Sequence, residues 1–203
     1  MVTMPRFLRR HGLPEGPRWP AGFTLGVTPR ARSLLELLYI RDRWDLHPQI
    51  DLPPLDPPPP RDRSRPPDPG VPEWEDRWLG CWQETLQWFR DQTPAPHPPT
   101  RTNPPEFPPL LWRRRYGDVG IDREALDEWY FALPIEVLPP PDGSPEDRCA
   151  DAVARAWTRG LRGVVSLPLA GDHAERLGQH RLLVSAHTRA EPDRYRAALE
   201  ATF

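Results

Sequence analysis

GVVSLPLAGDHAERLGQHRLLVSAHT, residues 163–188, decides the architecture of this chain. Residues 163–171 open on an apolar, partly β-branched run that predicts a strand, and RLLVSAHT at 181–188 predicts a second. Between them, DHAERLG at 172–178 predicts one or two helical turns closed by Gly178. Pro168 lacks an amide donor, so the first strand is expected at a sheet edge or bent at that point. Pro192 then opens a terminal helix with Tyr195, Leu199 and Phe203 on its inner face. Upstream, Ser144, Pro145 and Asp147 start a helix with Ala150, Val153, Trp157 and Leu161 inward, ending at Gly160 or Gly163. The order helix, strand, short helix, strand, helix describes a small two-stranded α/β unit. The link between its strands is near the minimum for a parallel crossover, which leaves parallel and antiparallel pairing both open.

Moving toward the N-terminus, Asp122 with Ile121 and Leu126 fits a capped, stapled helix start, and Ala125, Leu126, Trp129 and Tyr130 continue it to about Leu133. Pro134 stops it, and IEVLPPPDG follows as a short strand or extended turn. Residues 73–92, EWEDRWLGCWQETLQWFRDQ, form the strongest helical segment. Trp74, Trp78 and Trp82 recur every fourth residue, Leu86 and Phe89 continue the stripe, and Trp88 widens it. Such a stripe is a core face, a partner-binding hot spot or a ligand platform; its contiguity is what packing requires. Further upstream, Thr28 and Pro29 suit the start of a helix that carries Leu34, Leu35, Leu38 and Trp44 to about residue 45. Residues 1–27 read as an arm with Phe7, Leu8, Trp19 and Phe23 as anchors.

Two proline-dense tracts divide these pieces. Residues 53–72 hold ten prolines in twenty positions and residues 94–109 hold eight in sixteen, a density that no helix interior or central strand accepts. Where ordered, such segments favour polyproline II and act as semi-rigid spacers or surface wraps. The expected organisation is an arm (1–27), a helix (28–45), a connector (46–72), a tryptophan-rich helix (73–93), a second connector (94–111) and a C-terminal helical and α/β domain (112–203). The fold class is α+β, with helices and a small C-terminal α/β unit joined by extended proline-rich segments.

Composition bounds the function. Nine tryptophans argue for a real core, against the pull of 31 prolines and 13 glycines. Every one of the 27 basic residues is arginine, as GC-rich coding would give, and the net charge of −2 provides no general attraction to nucleic acid or anionic membrane. Cys81 and Cys149 form no CxxC pair and sit in apolar helical patterns, so buried free thiols are expected. No apolar run reaches the roughly 20 residues needed to span a bilayer. MVTMPRFLRRHG is basic but lacks the apolar stretch of a secretory signal, so a cytoplasmic location is expected.

No catalytic signature stands out. The best constellation is Asp172, His173, His180 and His187, with Ser166 and Ser185 nearby. A nucleophilic route would use Ser166 or Ser185 with His173 or His187 and Asp172, but GVVSLPLAG lacks the GxSxG elbow. A metal route would use His173, His180 and His187 with Asp172, but the histidine spacing of seven crosses different elements and is not diagnostic. Arg113, Arg114 and Arg115, flanked by Trp112 and Tyr116, form the most nucleic-acid-like patch, among acidic neighbours. The glycines of GLRGVV match neither phosphate-loop pattern. These features together favour a non-catalytic accessory, adaptor or structural subunit that contacts another protein chain, through Trp74, Trp78 and Trp82 and the arginine patch, with no cofactor. The alternatives are a small α/β hydrolase with its site near residues 166–187, and weak nucleic-acid contact through Arg113, Arg114 and Arg115.

Overall fold

Strand β2 (Gly163–Leu167) is buried at all of its positions, which requires both faces of its sheet to be covered. The computed structural model describes residues 19–60, 65–66, 70–92, 108–134 and 143–203, and among these β2 is a central strand. Its neighbours are β1 (Gly26–Thr28) and β4 (Arg181–Ser185), and β3 (Ala174–Leu177) closes the far edge, giving a four-stranded sheet of order β1-β2-β4-β3. Strands β1, β2 and β4 run parallel, with Gly26 beside Gly163 and Ser166 beside Val184; β3 is antiparallel to β4, with Glu175 beside Leu183.

The molecule is thus α+β with a small mixed sheet, and several expectations are corrected. Residues 174–177 are a strand and not helical turns, because they pair with β4 along its open edge. Gly178 does not close a helix; it turns the β3–β4 hairpin at φ +61°, a backbone shape that suits glycine. The sheet has four strands and not two, since GVT at 26–28, expected as the end of the arm and the cap of the next helix, forms one edge and residues 174–177 the other. The link from β2 to β4 passes through β3 instead of a helix. Strand β4 stops at Ser185, whose side chain accepts from the Thr188 amide and caps α7 (Ala186–Ala190).

Alternation along the strands separates two cores. On one face Val165, Leu167, Leu177 and Leu183 meet the layer built from α1 (Arg32–Arg43), α2 (Val71–Asp91), α3 (Leu111–Tyr116) and α4 (Arg123–Ala132). On the other, Val164, Leu182 and Val184 meet α6 (Ala150–Thr158) and α8 (Pro192–Thr202). Helix α1 begins later than the Thr28–Pro29 signal suggests: Thr28 belongs to β1, and Ala31 occupies the cap without a side-chain bond. The helix expected from Ser144 is two pieces, α5 (Pro145–Arg148) and α6, separated at Cys149. Its start carries the anticipated chemistry, a capping box between Ser144 and Asp147.

The described opening of the first proline tract, around residues 53–56, lies against the core. Its donors come from the non-proline positions: Leu55 N–H donates to Asp42 Oδ2 (2.8 Å) and Asp56 N–H to the Pro168 carbonyl (2.8 Å). Arg41 donates to the carbonyls of Leu52 and Pro53 (3.2 and 2.8 Å). Leu55 is 3% exposed and bridges Leu169. The anchors Phe7 and Leu8, most of the second proline tract and the IEVL segment lie outside the described residues. No helix among the described residues is long and apolar enough to cross a membrane.

Candidate functional site

Parallel strands bring their carboxyl ends to one rim, and in α/β sheets that rim is where ligands bind. Pro29, Pro168 and Ala186 follow β1, β2 and β4 there, and they border a cleft of about 700 Å³. One wall consists of Trp19, Phe23, Leu25 and Val27, half-buried apolar side chains packed on the α6–α8 core. The Trp19 and Phe23 rings stack with centroids 4.2 Å apart and planes 12° from parallel; Trp157 supports Phe23 from 5.7 Å. Leu133 and Pro134 line the opposite side.

The polar groups fall into two sets. Glu146, in the first turn of α5, and Arg189, on α7, form a buried bidentate pair: Arg189 Nε donates to Glu146 Oε1 at 2.8 Å and Nη2 to Oε2 at 2.7 Å. The Tyr195 hydroxyl donates to Glu146 Oε1 at 3.1 Å. Burial and then the Glu146 charge push the Tyr195 phenol well above its ordinary range. The second set is open to a ligand. Asp56 is exposed at the rim. Asp147 spends Oδ2 on the Ser144 amide and hydroxyl (3.0 and 2.8 Å). Ser166 lines the cleft at 4% exposure, and its hydroxyl has no hydrogen-bond partner among the described residues.

The anticipated serine–histidine–aspartate grouping is dispersed. Ser185 Oγ lies 2.8 Å from the Gly171 carbonyl oxygen and 2.9 Å from Thr188 Oγ1, and Thr188 donates to Asp172 Oδ1 at 3.0 Å. This string caps α7 and receives the His173 main-chain amide at Thr188 Oγ1 (3.2 Å), but no histidine ring joins it among the described residues. His187 stands 4.0 Å from Asp172 on the outer side and meets Arg194, which also donates to Asp172 at 3.1 Å. The His173 ring is turned inward; its Nε2 is buried without a partner among the described residues, and burial lowers its pKa. His180 Nδ1 pairs with the Gly160 carbonyl (2.9 Å), in the turn that leads into β4 and so away from the carboxyl rim. The three histidines are therefore not brought together, and no group of three or more His, Cys, Asp or Glu among the described residues is placed to hold a metal. Ser166 lines the cleft, but neither His173 nor His187 does.

The tryptophan stripe is internal. Trp74, Trp78 and Trp82 are 6%, 0% and 4% exposed, and Trp78 Nε1 donates to the Leu37 carbonyl at 2.5 Å. Arg113, Arg114 and Arg115 are exposed, with Arg113 3.4 Å from Asp118 and Arg115 paired with Glu84. The aromatics beside them, Trp112 and Tyr116, close an internal cluster with Trp44 and Trp74 at centroid distances of 5.1–6.4 Å, so Trp112 has no ring face left for a base. Both cysteines are buried and free, and burial raises both thiol pKa values.

Sequence reasoning singled out Ser166, Trp19 and Phe23 without placing them together. It placed Tyr195 on an inner helix face but missed Glu146 and Arg189, and the three meet across 43 to 49 residues. The Ser144–Asp147 box was the one local signal at this rim. No protein-family model matches the chain, and no curated protein or solved structure matches it at a significant level.

Proposed function

We propose that this protein works by non-covalent binding, as an accessory or adaptor chain whose recognition site is the cleft at the carboxyl ends of β1, β2 and β4. The observation that supports this reading is Ser166: a residue 4% exposed on the cleft lining, whose hydroxyl has no partner among the described residues and stands beside both apolar and charged groups. An uncommitted hydroxyl at the lining of a cleft is free to bond a ligand, and hydrogen bonds so placed orient small molecules in such clefts. The volume suits a small molecule. Hydrolysis is the weaker reading, since the described residues of the cleft lining include no histidine to take a proton from Ser166.

A thermal-shift screen of small ligands against the wild-type chain and Ser166→Leu tests the proposal. Ligands that stabilise the wild type should lose their effect when the larger side chain intrudes on the cleft. Ligands that act equally on both proteins, or ester turnover that disappears in Ser166→Ala, would contradict it.

A further inference from the structure

The charged groups of the cleft are not equivalent. Among the described lining residues the cation is Arg189, and it is bound by both oxygens of Glu146. Arg30, adjacent to the lining residue Pro29, donates to the main-chain carbonyls of Phe131 and Leu133. Arg148 donates to the Ala190 carbonyl at 3.0 Å. A carboxylate or phosphate entering the cleft would therefore meet, as the cation among its described lining residues, a guanidinium already bound to Glu146. The acceptors differ: the Asp56 carboxylate is exposed at the rim, Asp147 has committed only Oδ2, and Ser166 offers an unpartnered hydroxyl. The cleft also presents the stacked Trp19–Phe23 pair, an apolar surface for the body of a ligand.

Resting on the binding role proposed above, we infer that the cleft selects an organic cation: a ligand with an aromatic or aliphatic body and a protonated amine. The body lies against Trp19, Phe23 and Val27. The ammonium bonds the Asp56 carboxylate, and Ser166 supplies a second contact. Charge-assisted hydrogen bonds exceed neutral ones in strength, so the ammonium and not the ring decides between ligands of equal size.

Isothermal titration of the full chain with phenethylamine, phenethyl alcohol and phenylacetate separates charge from shape. The amine should bind about tenfold tighter than the alcohol, a difference of the size one charged hydrogen bond gives, and phenylacetate should bind weakest. Asp56→Asn, a nearly isosteric change at an exposed residue that leaves the Asp56 backbone bond to Pro168 in place, should bring the amine down to the affinity of the alcohol. Ser166→Ala should weaken both. Equal binding of amine and alcohol, each lost in Ser166→Leu, would overturn the cation inference and leave the cleft as a binding site. Preference for phenylacetate, or an amine affinity unchanged in Asp56→Asn, would overturn it also. Binding of none of the three compounds at millimolar concentration would overturn the inference and the binding role together.

Discussion

Glu146, Arg189 and Tyr195 show how few contacts hold the cleft rim in place. Taking a carboxylate and a guanidinium out of water is costly, and the bidentate geometry with the added Tyr195 bond is what offsets it. Removing one partner leaves the other charge buried, so Glu146→Ala should lower unfolding stability by about 3–5 kcal/mol in urea titrations. The apolar double substitution Glu146→Met with Arg189→Met should recover most of that loss. Tyr195 gives a pH signature. Its folded pKa is raised by burial, so the folded state keeps a proton that the unfolded chain releases above its ordinary pKa of about 10. Its contribution is complete below that pH and is lost as pH rises beyond it. The alkaline fall in stability should therefore be shallower in Tyr195→Phe than in the wild type, measured by denaturation between pH 8 and 11, a range of about one to two units on either side of that pKa.

Among the elements, α2 was the most legible because Trp74, Trp78 and Trp82 repeat at the helical period over a long segment. Its stripe became core because Trp78 is enclosed and bonded to α1 through the Leu37 carbonyl. Trp78→Ala should cost about 3–5 kcal/mol, as large-to-small changes of this size do, and should leave ligand affinity at the distant cleft unchanged in titrations at a temperature where both proteins are folded. The strands divided differently. Runs of apolar residues announced β2 and β4, whereas AERL and GVT are too short to carry a period, and β1 finds its partner across more than 130 residues, from Gly26 to Gly163. Long-range pairing leaves no local mark. Gly178 illustrates an ambiguous signal, since a glycine after DHAERL closes a helix or turns a hairpin equally well. In the hairpin an added Cβ would stand 3.0 Å from the Arg90 carbonyl oxygen at positive φ. Gly178→Ala should thus destabilise by about 1 kcal/mol or more, measured as a lowered urea midpoint with unchanged slope.

At the scale of the whole molecule, the sheet separates two apolar layers and leaves one rim where three parallel strands end together. The cleft is assembled there from remote stretches: Trp19 and Phe23 before β1, Asp56 within the first proline tract, Glu146 and Asp147 in α5, Ser166 in β2 and Arg189 in α7. That dispersal explains why the sequence yielded Ser166 as a nucleophile candidate among histidines that the fold directs elsewhere. It also gives the first proline tract a structural role, since its Leu55–Asp56 step is fixed to the strand end at Pro168 and carries the carboxylate at the rim. A crystal structure of the protein grown with phenethylamine examines this arrangement in a single step. The expected electron density places the ring against Trp19 and Phe23, with the ammonium about 2.7–2.9 Å from an Asp56 oxygen. A ligand seated elsewhere, or one whose amine points away from Asp56 into solvent, would contradict it.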